Sequence, residues 1–235
     1  MPPPRAHAKR PFYIIGHMVN SVEEVDKFLR QGSNALEVDI EFAENGDSRF
    51  RGQMSLLFLD LKTTKLSKSA KPVAGVTLAY NLVKHLWKGG FDVGMNDPLD
   101  NIARMYKKLH INGHRWQGDG LSNCLRFLMP VDRLKAAVKL RDSKRGYIDK
   151  VYHWTIDLPF YIEKSIRLGV DGIITNQPHN VLGVVTSIFF QKRLKVASMK
   201  DSPWQKIRRT PQEVLEDEGD TDTNMVGGGD AGPGK

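Results

Sequence analysis

Three short spacings in this sequence place reactive side chains together: Gly16-His17 at the end of one apolar run, Glu37-x-Asp39 inside a second, and Asp60-x-Lys62 at the end of a third. Residues two apart on a strand point to the same side, so Glu37 with Asp39, and Asp60 with Lys62, each face one way. Hard oxygen ligands from Glu37, Asp39 and Asp60 suit Mg²⁺, which keeps several waters and takes a substrate phosphate at its open positions. Lys62 would meet the same phosphate as a point charge, with His17 in the same pocket. Taken singly, a Glu-x-Asp pair is more often a solvated strand end, and a lone histidine is more often structural. The combination weighs more, because charges set in nearly continuous apolar strands must be paired or metal-bound to be tolerated.

These residues converge only if the elements carrying them are parallel. Apolar, β-branched runs at residues 11–17, 35–42, 56–63, 91–96, 111–117, 147–157 and 170–176 each have the length of a buried strand. Between most of them lie helical patterns. Ser21 with Glu24 forms a capping box with Gly32 as the stop, Thr77 opens a helix that Gly89-Gly90 closes, and others begin near Asp97-Pro98, Pro130, Pro159 and Pro178. Alternating strand and helix implies a parallel α/β sheet buried on both faces, either doubly wound or closed into a barrel. In a parallel barrel all strand ends open on one face, which brings the three motifs together. The usual barrel has eight strands, and seven are legible here.

A chain of 235 residues, 40% hydrophobic, can bury one sizeable core. The net charge is +8, but residues 213–235 hold seven acids and one lysine, so the preceding residues carry +14. A basic exterior can attract anionic membranes or nucleic acid, but it is more commonly just solvated, and charge alone chooses no ligand. No run approaches the roughly 20 apolar residues of a membrane span, and Met1-Pro-Pro-Pro leads into polar sequence with no signal-type apolar region, so the chain as written reads as soluble. Cys124 is the only cysteine, which excludes an intramolecular disulfide. The acidic, then Gly-rich end from residue 213 is expected to be disordered.

The run Arg10-Pro11-Phe12-Tyr13-Ile14-Ile15-Gly16-His17-Met18-Val19-Asn20 resembles the opening of the arachnid sphingomyelinase D / phospholipase D toxin family. Glu37-x-Asp39 and Phe58-Leu59-Asp60-Leu61-Lys62-Thr63 resemble its next motifs, the latter with one leucine inserted. Gly113-His114-x-Trp116-Gln117-x-Asp119-Gly120, Asn123-Cys124, Val151-Tyr152-His153-Trp154-Thr155-Ile156-Asp157 and Gly169-Val170-Asp171-Gly172-Ile173-Ile174-Thr175-Asn176 follow in the family's order, and Asp201-Ser202-Pro203-Trp204 closes the match. The resemblance covers about residues 10–206.

It implies a TIM-type (β/α) barrel of the phospholipase C-like phosphodiesterase kind over residues 10–212, preceded by a short extension and followed by a tail. It also implies Mg²⁺-dependent cleavage of choline phospholipids, sphingomyelin or lysophosphatidylcholine, at a membrane surface, by intramolecular transfer that releases choline and leaves a cyclic phosphate. Carried over by position, His17 is one of two catalytic histidines. Glu37, Asp39 and Asp60 hold the metal, and Lys62 contacts phosphate. Tyr152, Trp154 and Asp157 lie on the headgroup side, where an aromatic face can hold a quaternary ammonium. Asn176 adds a hydrogen bond.

Two departures from the family stand out. The loop after the second strand, where the family carries its other histidine and the cysteine that pairs with the counterpart of Cys124, is shortened, and no histidine lies between Glu37 and Asp60. A second gap follows Lys88-Gly89-Gly90, where the family has a fourth strand and its helix; this accounts for seven strands and leaves the strands on either side to pair directly or lose partners. His85, His110, His114 and His153 offer no evident replacement. The expectation is therefore an active lyase or, alternatively, a relative that binds metal or headgroup without turnover. A glycerophosphodiester phosphodiesterase ranks lower, since its usual His-Arg-Gly opening is not the Gly16-His17-Met18-Val19 seen here. An extracellular monomer with no nucleic-acid partner and no membrane span is expected.

Overall fold

The computed structural model describes residues 9–40, 56–61, 90–93, 95, 97–120 and 131–223, with only the backbone of residues 40, 56, 60, 61 and 218–223. Its elements in chain order are β1 (Arg10–Gly16), α1 (Val22–Arg30), β2 (Ala35–Ile40), β3 (Leu56–Leu61), β4 (Phe91–Val93), α2 (Leu99–Lys108), β5 (Arg115–Gly120), α3 (Asp132–Asp142), β6 (Lys150–Trp154), α4 (Pro159–Arg167), β7 (Gly172–Thr175), α5 (Pro178–Val185), a 3₁₀ turn (Phe190–Lys192), β8 (Leu194–Val196) and α6 (Pro211–Thr223). All strand pairings are parallel, in the order β3-β2-β1-β7-β6-β5-β4. The seven runs legible in the sequence are the seven strands of this path. The exception in detail is β5, which starts at Arg115 and runs three residues past the expected end, because Ile111 to His114 form the turn after α2.

The path is an arc, not a ring. β3 and β4 are its two ends, and among the described residues they are not paired with each other. This is the place where the sequence lacks a strand-helix unit, and of the two expected outcomes, direct pairing of the flanking strands or loss of partners, direct pairing is not found among the described residues. The eighth strand, β8, had no apolar run to announce it: three residues pair with Arg10 to Phe12 at the start of β1, off the main path.

Period-two alternation sorts the side chains into two cores. Phe12, Ile14, Val151 and Ile173 face outward and pack against Leu134, Val138, Ile162, Ile166, Val181 and Val185 of the surrounding helices. Tyr13, Ile15, Trp116, Tyr152 and Ile174 face inward with Ala35 and Ala197. Helix starts follow the sequence signals. Ser21 caps α1 in a reciprocal box with Glu24, Pro98 is the N-cap of α2, and Pro159 and Pro178 occupy the first turns of α4 and α5, where a missing N–H costs nothing. The helix expected from Thr77, and Cys124, lie outside the described residues.

The end where the strands begin is sealed. Asp171 is fully buried and accepts from Arg10 Nη1 (3.1 Å), Arg141 Nη1 and the Val151 N–H (2.9 Å), while Lys150 Nζ lies 4.0 Å away. The Asp201-Ser202-Pro203-Trp204 motif closes the same end: Trp116 Nε1 donates to the Pro203 carbonyl (3.0 Å), and Trp204 stacks on His114 (4.8 Å). Gly90 must be glycine beneath it, since a Cβ there would stand 2.2 Å from the Trp204 ring. The segment expected to be disordered from residue 213 is helical through Thr223. The signal missed was electrostatic: Asp217 is bound by Arg193 Nη2 (2.6 Å) and Arg209 Nη1 (3.0 Å), which anchors α6 to the barrel.

Candidate active site

The opposite end, where the strands finish, gathers most of the predicted site. β1 and β7 run in register from Tyr13↔Gly172 to Gly16↔Thr175, and His17 N–H continues the ladder to the Thr175 carbonyl (3.0 Å). His17 and Asn176 are therefore the next neighbours, and His17 Nδ1 meets Asn176 Oδ1 at 2.9 Å. Asn176 is in turn held by Asp157, which accepts from Asn176 Nδ2 (2.9 Å), the Asn176 N–H (2.7 Å) and Thr175 Oγ1 (2.9 Å).

This relay fixes the protonation of the imidazole. A carboxylate only accepts, so the Asn176 amide must turn its NH₂ to Asp157 and its oxygen to His17. His17 Nδ1 must then carry the proton in the neutral ring, leaving the lone pair on Nε2. His17 is half-buried, and a basic nitrogen is presented at the mouth of the barrel.

One strand away, the Gly16↔Leu36 pairing sets Glu37 beside His17. Glu37 is buried and takes the Met18 N–H on Oε2 (2.7 Å), and the Val19 N–H bonds its carbonyl (2.9 Å). Asp39 is tied to the same turn: its N–H donates to Asn20 Oδ1 (2.9 Å), and Asn20 Nδ2 reaches Asp39 Oδ2 (3.5 Å). The Met18-Val19-Asn20 segment after the histidine thus positions both carboxylates, a role its place in the motif could have suggested. Asp39 and Asp60 are direct register partners across β2 and β3, so the backbone sets the third acid next to the other two. The Asp60 side chain and all of Lys62 lie outside the described residues, and among those described no three acidic, histidine or cysteine side chains form a cation-sized cluster. The donor chemistry is that of a hard divalent cation: adjacent carboxylates on one strand, with a third acid at the matching position of the next.

The aromatic pair divides. Tyr152 faces into the barrel, packs against Phe58 (5.1 Å) and Trp116 (6.2 Å), lies over Gly118, and donates its hydroxyl to Asp92 Oδ2 (2.7 Å). It lies deeper than Trp154 on the same face of β6 and is buried. Trp154, two residues further along, is half-buried at the mouth. Asp157 serves as the anchor of Asn176. His153 points out to Ser165 Oγ (2.9 Å), and His114 lies at the sealed end, so neither joins the site.

Comparison with known proteins bears on the fold and the family. The fold resembles that of a glycerophosphoryl diester phosphodiesterase from Parabacteroides distasonis, with a TM-score of 0.51, 14% identity, and coverage of 86% of this chain and 94% of that one. At this identity the likeness concerns the barrel alone. The protein called dermonecrotic toxin SPH from Ixodes scapularis is 37% identical, over 85% of this chain and 77% of its own length. Dermonecrotic toxin LiSicTox-alphaIA2aiii from Loxosceles intermedia is 29% identical, over 87% and 92%. The family model described as dermonecrotic toxin SPH matches residues 7–49, 45–90 and 88–204. Its breaks, near residues 45–49 and 88–90, fall where the sequence placed its two internal losses. The strand-end histidine, the carboxylate pair, the barrel and these matches together make the chain a member of the dermonecrotic toxin SPH family, shortened at two internal sites.

Proposed function

We propose that this protein is a phospholipase D-type lyase acting on choline phospholipids, sphingomyelin or lysophosphatidylcholine, outside the cell. The observation that carries the reading is the relay Asp157–Asn176–His17, which presents a basic Nε2 beside the Glu37–Asp39 pair. Such a nitrogen can take the proton of the substrate's own hydroxyl as that oxygen attacks phosphorus; the new P–O bond closes a ring, and the P–O bond to choline breaks. Glu37, Asp39 and Asp60 would hold Mg²⁺, and Lys62 would neutralise a phosphate oxygen. The ion supplies charge compensation for the phosphate as negative charge builds on its oxygens. Trp154 would offer its face to the quaternary ammonium. Asn176 and Asp157 position His17 and lie on the headgroup side.

The proton must return to the departing choline oxygen. In the family this falls to a second histidine, and none occurs between Glu37 and Asp60 here. That absence supports a second reading, a relative that binds metal and headgroup without turnover. Choline release from sphingomyelin or lysophosphatidylcholine with Mg²⁺ separates the two. Release above a His17→Ala control supports the lyase. Liposome binding without release supports the binder, and neither signal rejects both.

A further inference from the structure

Exposed apolar side chains stand on the rim of the site as well as at the sealed end. Met18, 49% exposed, follows His17 directly; Leu158 and Phe160, 54% and 56% exposed, follow Asp157 at the start of α4. Their backbones are held firmly. Met18 donates its N–H to Glu37, Leu158 is the N-cap residue before Pro159, and the carbonyl of Asp157 accepts from Asn180 Nδ2 (2.9 Å). The backbone under these tips is therefore fixed relative to the site. Lys164, one turn along α4, places its ammonium 4.3 Å over the Phe160 ring. Apolar tips with a cation just behind them, on a body carrying a strong positive charge, match the boundary between acyl chains and phosphates. Among the described residues the tips are separate, whereas a protein partner would require a far broader continuous surface.

We propose that Leu158 and Phe160, with Met18, form a wedge that enters the outer layer of a phospholipid bilayer and seats the His17 site over a headgroup, with Lys164 at the level of the phosphates. This rests on the reading of the site as acting on a phospholipid, and it adds how the chain reaches one that remains in a membrane.

The test is sedimentation of the full chain with vesicles of sphingomyelin and phosphatidylcholine, for the native protein, Leu158→Ser, Phe160→Ser, the double variant and Ile188→Ser. Ile188 is 78% exposed after α5, at the sealed end, and is the control. Each wedge substitution should weaken vesicle binding by about tenfold and the double variant by more, with Ile188→Ser unchanged. Choline release from vesicles should fall in parallel, while release from a short-chain choline phospholipid below its micelle concentration should stay at the native level. An unchanged thermal midpoint checks folding. A double variant that binds vesicles as well as the native chain, or a native chain that does not bind them, overturns the wedge. If no substrate yields choline, the lyase reading fails while sedimentation still decides the wedge.

Discussion

Replacing Asp157 with asparagine should reverse the tautomer of His17 without touching the ring. In the native site Asp157 Oδ1 accepts from the Asn176 N–H and Thr175 Oγ1, and Oδ2 accepts from Asn176 Nδ2 at 2.9 Å. In Asp157→Asn the introduced oxygen keeps the first two donors, so the introduced NH₂ meets the NH₂ of Asn176. Two donors facing each other leave a hydrogen bond unmade, at about 1–3 kcal/mol, and a half-turn of the Asn176 amide recovers it. The turned amide offers NH₂ to His17 Nδ1, which must become the acceptor, and the proton moves to Nε2. Because Asn176 is exposed, water competes and the lower half of that range applies, about 1–2 kcal/mol or roughly a five- to thirtyfold shift in tautomer population. Nitrogen-15 shifts of the His17 imidazole read the tautomer directly, whether or not the chain turns over. Under the lyase reading, choline release should fall by the same roughly five- to thirtyfold. An unchanged Nδ1–H signal in Asp157→Asn would refute the reasoning.

Other outcomes follow from the sealed end, the proposed Mg²⁺ ligands and one glycine. Burial alone would raise the Asp171 carboxyl, but Arg141, Lys150, Arg10 and the Val151 N–H outweigh it and hold the group below its ordinary value. Its contribution is therefore present above the unfolded pKa and lost as pH falls through the lower folded value. Asp171→Asn should cost about 3–5 kcal/mol in denaturant unfolding, since it removes the carboxylate that Arg10, Lys150 and Arg141 share and leaves, among the described residues, only Arg141 with another ion pair, to Asp142. Lys150 is the reverse case: burial lowers its pKa more than Asp171 raises it, and among the described residues Nζ has no hydrogen-bond partner. The unfolded chain then binds the extra proton between the lowered folded value and the ordinary 10.5, so native stability should rise with pH across that window. Lys150→Met should remove this slope and cost less than about 1.5 kcal/mol at pH 7, or stabilise, by calorimetry. Saturating Mg²⁺ at about a hundredfold over its dissociation constant should stabilise the fold by about 2.7 kcal/mol, and Asp39→Asn should abolish the thermal shift. Gly120→Ala should destabilise by more than about 2 kcal/mol, because at φ +152° its Cβ would fall 1.7 Å from the Trp154 carbonyl oxygen, a backbone atom with no room to retreat; urea unfolding measures it.

The parallel barrel was legible because each strand is a short apolar run and each helix carries a local start signal, such as the Ser21–Glu24 box or Pro159. Glu37 and Asp39 were legible as a pair because alternation fixes their side. What alternation could not supply was depth along the strand. Tyr152 and Trp154 share a face, yet one lies within the core bonded to Asp92 and the other at the mouth. The relay from Asp157 was also out of reach, since it depends on the β1–β7 register, which sets His17 opposite Asn176 across 159 residues of sequence. β8 and the ordered part of α6 were missed because neither depends on an apolar run: one is three residues held by β1, and the other is tied down by Arg193 and Arg209.

The gap in the circuit falls between β3 and β4, whereas His17, Glu37, Asp39, Asp60, Trp154 and the Asn176–Asp157 pair all come from β3, β2, β1, β7 and β6 or the turns just beyond them, five strands laced edge to edge. The missing unit borders β3, which carries Asp60, yet the β3-β2-β1-β7-β6 span remains paired strand to strand, much as a horseshoe keeps its curve without its missing arc. The pairing that sets His17 against Asn176 and Asp39 against Asp60 therefore does not run through the missing stretch of scaffold.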